Sequence, residues 1–424
     1  MRSILVMVVL TLGLSAQNLE NVVKKGLELD PRIHQLVKQY TIALKDLEIV
    51  ESNYRPTLDV SGFAGRERTE TPANLGSNEI YTAKTGRVIG EYNLFAGFED
   101  MYLIKEKETA AKLAENRLKE GLISISKEIS IAYIDVIKSY KIYLKQKENI
   151  LSYERTLKKV SLKIKDGGGR DSDLFQTKSR MNYAETNEII ARQDYQDAQI
   201  NLAKYIGAIP NVANMQDPRV NSKYMNLNRL IGKARRDNAT LQNLVLQKKI
   251  ANFLVEQQKS GYYPSVDFEV SKNWGEDVHG ILGIDDSERI GLNMKYNLYN
   301  GGSDKLNVEK AKIQVLRAAD SIAEAKREVI NNLKRNYNNY VMYKKKLNVI
   351  NTHIKNAKKT EQLYVKEEEE TGERSIIDIL NIQQEYNSAQ ITKIATKYTS
   401  TQFYFELIAA TSEILDYLHI NKKL

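Results

Sequence analysis

Imidazole is scarce in this chain. Its four histidines are His34, His279, His353 and His419, and no two lie within 60 residues of each other. A local histidine metal motif needs ligands a few residues apart, so none exists here. There is no cysteine. Disulfides, thiolate metal sites, a cysteine nucleophile and an N-terminal lipid-bearing cysteine are all excluded. HExxH, GxSxG, Walker and GxGxxG patterns are absent, which removes the common routes to hydrolysis and nucleotide binding. The GGGR segment at 167–170 fits a helix–helix turn better than a phosphate cradle, and Glu367 to Glu370 lacks EF-hand spacing. No enzyme activity, metal or cofactor is expected. The polar residues that stand out are two Gly-x-x-Ser segments, GRDS at 169–172 and GERS at 372–375, and Asp378 among Ile376, Ile377, Ile379 and Leu380.

The elements carrying these segments follow from composition. The chain has 424 residues, 42% hydrophobic and 28% charged, so it is neither a disordered chain nor a multispanning helical membrane protein. The net charge is +9, yet basic residues alternate with acidic ones along the same stretches, which argues against a nucleic-acid surface. Residues 1–16, MRSILVMVVLTLGLSA, place Arg2 before an apolar stretch and end on Ser15-Ala16. That is the pattern of a signal peptide cleaved near Gln17, with an N-terminal anchor as the other reading. The stretch is short for a spanning helix, which needs roughly 20 apolar residues. With no other apolar run of that length, any membrane crossing must be a closed β-barrel.

Proline is missing from Ala73 to Ile209 and after Pro264, and glycine is missing between Ser303 and Thr371. Such runs of Lys, Glu, Ala and Leu predict helices at 98–166 and 303–371, each about 100 Å long at 1.5 Å per residue. Leu118, Leu122, Ile125, Ile129, Ala132 and Val136 step by four and three, as do Leu347, Ile350, Ile354 and Ala357. A 3.5-residue period predicts coiled-coil packing.

The chain is written twice. ESNYRPTLDV at 51–60 resembles KSGYYPSVDF at 259–268, with Pro56 and Pro264 208 residues apart. EYNLFAG at 91–97 matches KYNLYNG at 295–301, and GRDS matches GERS. Three landmarks in one order indicate a duplication, with a first repeat over 17–217 and a second over 218–424. Each repeat is expected to run helix, two strands, long helix, helix.

The strands alternate. Val266, Phe268, Val270 and Trp274 share one face, broken by Lys272, and Ile290, Leu292, Met294, Tyr296 and Leu298 share another. In the first repeat Leu58, Val60, Gly62 and Ala64 oppose Thr57, Asp59 and Ser61, and Val88, Gly90, Tyr92 and Leu94 oppose Arg87, Glu91 and Asn93. This pattern suits an outer-membrane barrel and equally a half-buried sheet. If a barrel, four strands cannot close it, because small closed barrels need about eight. Several chains would share one, and three copies give twelve strands.

These residues resemble the TolC-type outer-membrane efflux protein family over roughly 18–418. The resemblance rests on the Asp30-Pro31 helix start, the two Tyr-x-Pro segments, the LFAG and LYNG strand ends, and above all GERSIIDILNIQQEYNSAQ at 372–390. It implies an α+β membrane protein and a homotrimer, with a long α-helical coiled-coil barrel continued by a shared 12-stranded transmembrane β-barrel in outer-membrane lipid. It also implies a periplasmic adaptor (membrane fusion) protein and an inner-membrane transporter as partners. The implied function is a passive exit duct of a tripartite efflux or type I secretion system. The polar loops at about 66–84 and 275–288 are then expected to face outside.

The resemblance also assigns the tips. Ser172, Asp173 and Arg374 match the latch that closes the periplasmic end, and Asp378 matches the acidic ring at the constriction. Asn381 stands at the family's second acidic position, and Glu369 where some members carry a tyrosine. Asp173 and Glu369 side by side would repel, so a different latch partner is expected. An Arg–carboxylate contact near a helix end can be bidentate and breaks discretely. A three-fold axis turns Asp378 into three carboxylates, which favour cations. Without the resemblance, Asp378 reads equally well as a surface residue of a solvated helix. A periplasmic coiled-coil adaptor or structural stalk without a membrane pore is the alternative function.

Overall fold

The computed structural model describes residues 18–68, 80–221, 225–278, 282–372 and 374–421. The leader expected at 1–16 lies outside the described residues, as do Gly76, Gly280 and most of the expected 66–84 loop. The helices are α1 Leu19–Leu29, α2 Pro31–Glu51, α3 Glu99–Lys165, α4 Asp171–Ile206, α5 Leu227–Asp237, α6 Ala239–Gln258, α7 Ser303–Thr371, α8 Ile376–Ala410 and α9 Ile414–Tyr417. The strands are β1 Thr57–Arg68, β2 Ile80–Ala96, β3 Ser265–Glu276 and β4 Ile284–Lys295. None of the helices is long and apolar enough to cross a membrane, among the described residues.

The order of elements from α1 to α4 recurs from α5 to α8. Helices α1 and α5 have 11 residues each, and α3 and α7 have 67 and 69. A short 3-10 turn precedes Pro56 and another precedes Pro264, because the residue before proline is pushed out of the helical region. The helix expected before each Tyr-x-Pro is two helices. Pro31 opens α2 at a position that needs no N–H, and the buried Asp30 caps it, its Oδ1 accepting from the Arg32 backbone N–H at 2.9 Å.

The contacts divide the chain into two compact units, residues 36–118 with 240–325, and residues 1–35, 119–239 and 326–424. Each draws on both halves of the chain. In the first unit, the strands form one antiparallel sheet in the order β1-β2-β3-β4. The register aligns Val60 with Val88, Gly90 with Val270, and Phe268 with Leu292. The two apolar series therefore share a face, as period-two geometry requires. That face is bare. Leu58 is 73% exposed, Val60 76%, Ile290 73%, Leu292 64% and Met294 71%. The opposite face is polar, with Asn293 Nδ2 donating to Glu269 at 2.6 Å, Asn93 Nδ2 donating to Asp267 at 2.6 Å, and Arg87 3.6 Å from Glu269. On the apolar face, charge returns at the loop-side end as Lys84–Glu276 at 2.9 Å and Lys272–Glu288 at 3.0 Å.

Tyr296 and Leu298, expected in the last strand, lie beyond it, since β4 ends at Lys295. The Tyr299 N–H donates to Asn297 Oδ1 at 3.2 Å, a side-chain turn that competes with the ladder. Its counterpart β2 continues to Ala96, where it pairs with Ser265 of β3 past a bulge between Asn93 and Phe95.

The second unit is helical. All six residues of the seam from Leu118 to Val136 are buried along α3, most of them within this unit. Between the halves of the chain, Asp217 accepts from Lys141 at 2.9 Å, Lys397 at 2.5 Å and the Tyr398 hydroxyl at 2.6 Å. Burial works to raise its pKa, but these donors overcome it and hold the carboxyl at about 2. A cavity of about 750 Å³ opens beside this segment, lined by Asn18, Pro218, Tyr417 and His419 among others.

Candidate gate at the two helix turns

Two tight turns join long helices in the helical unit. At the α3–α4 turn Gly167 has φ +78°. Its N–H donates to the Ile164 carbonyl at 3.0 Å, and the Gly168 N–H to the Lys163 carbonyl at 3.0 Å, which satisfies carbonyls left open at the helix end. Gly169 has no room for a side chain, because a Cβ there would lie 2.5 Å from Ile164 Cγ1. Ser172 is exposed at the start of α4, and Asp173 is half-buried, with its N–H donating to the Arg170 carbonyl at 3.0 Å.

At the α7–α8 turn Gly372 has φ +66°, and its N–H donates to the Glu368 carbonyl at 3.1 Å. Ser375 caps α8, its Oγ accepting from the Ile377 N–H at 3.2 Å. Arg374 binds across the turn. Its Nε and one terminal nitrogen donate to Glu367 Oε2 at 2.9 and 2.8 Å, and its other terminal nitrogen approaches Asp378 Oδ2 at 3.5 Å. Its guanidinium lies over the Tyr364 ring, 4.0 Å from the centroid. Glu367 and Asp378 hold this guanidinium above its ordinary pKa.

The expected latch residues thus divide. Arg374 and Asp378 meet each other. Within one chain no contact joins Arg374 to Ser172 or Asp173 among the described residues, and the intrachain partner of Arg374 is Glu367. Glu369 pairs with Lys159 and Glu368 with Lys163, so the acidic run is tied to α3 rather than set against Asp173.

Beneath the turns α8 is packed. Leu380 is fully buried in a cluster with Tyr153 and Ala184, and Ile150, Met181 and Ile376 pack against it. Of the four apolar neighbours of Asp378, Ile379 and Leu380 are buried, Ile376 is half-buried, and Ile377 is 39% exposed. A polar ladder crosses from α8 to α3, with Asn387 donating to Asn149, and Gln383 to Thr156 Oγ1 at 3.3 Å. Glu361 of α7 and Gln383 line a cavity of about 310 Å³ with Arg155, Lys159 and Lys163. Burial pushes the Glu361 carboxyl up, against the hydrogen bond from Gln383.

Sequence reasoning missed Arg180. This half-buried residue of α4 donates to Gln384 Oε1 and, at 3.1 Å, to Asn381 Oδ1, both on α8. A signal was present. Residues 180 and 384 are 204 apart, the same offset that separates the LFAG and LYNG segments.

Residues 230–413 match a family model described as outer membrane efflux protein. The chain is 20% identical to outer membrane protein TolC of Escherichia coli strain K12, covering 96% of this chain and 85% of that protein. It is 21% identical to the alkaline protease secretion protein AprF of Pseudomonas aeruginosa, covering 88% and 80%. Among solved structures, the outer membrane protein VceC of Vibrio cholerae is similar at a TM-score of 0.79, with 14% identity, over 96% of this chain and 97% of that one. The exposed apolar sheet face, the long helices and these likenesses agree with a TolC-type outer-membrane efflux protein fold, and the match to the outer membrane efflux protein family model lies in the second half of the chain.

Proposed function

We propose that this chain is one subunit of a passive exit duct in the outer membrane, serving efflux or type I secretion. Three copies would place their sheets edge to edge as a twelve-stranded barrel, and their helices as a tunnel reaching into the periplasm. The observation that carries this is the four-stranded sheet. Its apolar face is uncovered, and β1 and β4 are open edges. Lipid tolerates the first and forbids the second unless another chain pairs there. A stalk protein in water would have to hide both.

The helices support a shared coiled coil. Exposed large apolar residues recur seven apart, as Ile42 and Ile49, Leu144 and Leu151, Tyr183 and Ile190, Leu306 and Ile313, and Met342 and Val349. Such heptad spacing marks seams that need a second helix. The repeated element order supports descent from a duplicated half. An adaptor protein and an inner-membrane transporter complete the system, with the transporter supplying the driving force. At the tips, Arg374 latches to Ser172 or Asp173 of a neighbouring copy when closed, and Asp378 lies at the constriction. Asn381 is then the uncharged second position of that constriction.

Light scattering in mild detergent, corrected for the micelle, should give a trimer, and the purified trimer should form channels in planar bilayers. A monodisperse monomer overturns the shared barrel. Protease treatment of intact cells should nick the loops within 66–84 and 275–288 and leave the 99–165 helix whole.

A further inference from the structure

We propose that Arg180 sets the charge preference of the duct, so that its constriction favours anions and its cargo is anionic. The inference rests on the duct reading above, with the start of α8 at the narrowest point. The sequence alone leads to the opposite expectation, a cation-favouring ring of Asp378 carboxylates. The geometry around Asp378 weakens that advantage. Its Oδ2 lies 3.5 Å from the Arg374 guanidinium, which Glu367 shares at 2.8 Å, so its field is offset in part locally. It is the only charged residue of α8 before Glu385, and Glu385 faces His353 at 3.5 Å.

Three of the neighbouring acids have a cation of their own: Glu368 pairs with Lys163, Glu369 with Lys159 and Glu370 with Lys366. Glu367 shares Arg374 with Asp378. Asp171 and Asp173 sit in the first turn of α4, where the helix dipole offsets negative charge. They lie at least seven residues before Arg180, roughly 10 Å along the helix, about one screening length at physiological salt.

Arg180 is different. Both of its acceptors, Asn381 and Gln384, are neutral amides. Among the described residues no ion pair joins it to a carboxylate. An arginine keeps its charge at every physiological pH. The amides fix the guanidinium in place without cancelling it, and Asn381 is itself exposed. An aspartate at 381 would form an ion pair with Arg180. The asparagine leaves the positive charge free to act on passing ions, three times over in a trimer.

The test is the reversal potential of the purified full-length protein in planar bilayers under a potassium chloride gradient. Wild type should favour chloride. Arg180→Gln should lower the chloride-to-potassium permeability ratio by roughly three- to tenfold, and Asn381→Asp should do the same without truncating a side chain. Arg180→Lys should keep the wild-type preference. Asp378→Asn should strengthen it. Channels that favour potassium in wild type, or a reversal potential unmoved by both Arg180→Gln and Asn381→Asp, would overturn the inference while leaving the duct intact. No channels at all from a folded trimer would overturn the duct itself, and this inference with it.

Discussion

The two turns of the helical unit use similar glycine chemistry and are held in opposite ways. The α3–α4 turn is kept by its backbone. Two N–H bonds close it, and Gly169 sits where a Cβ would strike Ile164. Among the described residues the Ser172 and Asp173 side chains have no side-chain partner in their own chain, and the Asp173 carbonyl accepts from Thr177 Oγ1 at 2.7 Å. The α7–α8 turn is kept by a side chain, with Arg374 bridging Glu367, Asp378 and the Tyr364 ring. The backbone turn has no exchangeable side-chain partner, whereas a guanidinium clasp can be made or broken. If the proposed gate lies at these turns, its control belongs to the second half of the chain, and the first half is the surface it closes against.

Several substitutions would break or sharpen this contrast. The largest effect is expected below the clasp. Leu380→Ala removes a fully buried side chain and should cost about 2–5 kcal/mol in denaturant unfolding followed by circular dichroism. Phe175→Ala, at the start of α4 and 67% exposed, should change stability by less than about 0.5 kcal/mol. Next come the glycines. Gly169→Ala should cost about 1–3 kcal/mol, because Ile164 and its backbone N must shift, and Gly372→Ala should cost about 1–2 kcal/mol through its positive φ alone. A larger loss at 372 than at 169 would contradict the backbone-versus-side-chain distinction.

Conductance separates the two latch partners of Arg374. Arg374→Ser should raise single-channel conductance. Glu367→Gln, which keeps the arginine, should raise it too if the intrachain clasp holds the tip. If only Glu367→Gln is silent, the hold comes from Ser172 or Asp173 of a neighbouring copy.

The smallest effect is a pH dependence. The Glu361 pKa is raised, so its favourable contribution is complete below the ordinary value of 4.5 and is lost as pH climbs through the raised value. Glu361→Gln should therefore raise the melting midpoint slightly at pH 7.5 and leave it unchanged at pH 4. Asp217 has the opposite sign. Its contribution is present above the ordinary value of 3.8 and is lost as pH falls toward about 2. Asp217→Asn should cost stability at neutral pH and little at pH 2.

Much of the fold was legible because it is periodic. The α3 seam is buried as its four-three spacing requires, and the strands begin just after Pro56 and Pro264. The α7 seam was only half legible. Ile350 and Ala357 are buried, but Leu347 and Ile354 keep partial exposure, since spacing names a face without naming what covers it. At the site, the Gly-x-x-Ser segments located both turns. The Glu367–Arg374 clasp was missed because its two residues lie on either side of a turn, where helical spacing no longer says who faces whom. Arg180 was missed because it meets α8 about 200 residues away, and only the repeat offset, carried through to residue 384, points there.

The open edges of the sheet also fix an order of events in biogenesis. A single chain cannot leave water for lipid with β1 and β4 unpaired, so insertion must wait for association. The slow step then depends on the concentration of newly exported subunits, as subunit assembly generally does. In the proposed trimer, one copy with a damaged edge strand would stall the two sound copies bound to it. Loss of function from an edge mutation should therefore be dominant in a cell that also makes the normal chain, whereas loss from the gate should scale with the fraction of altered subunits.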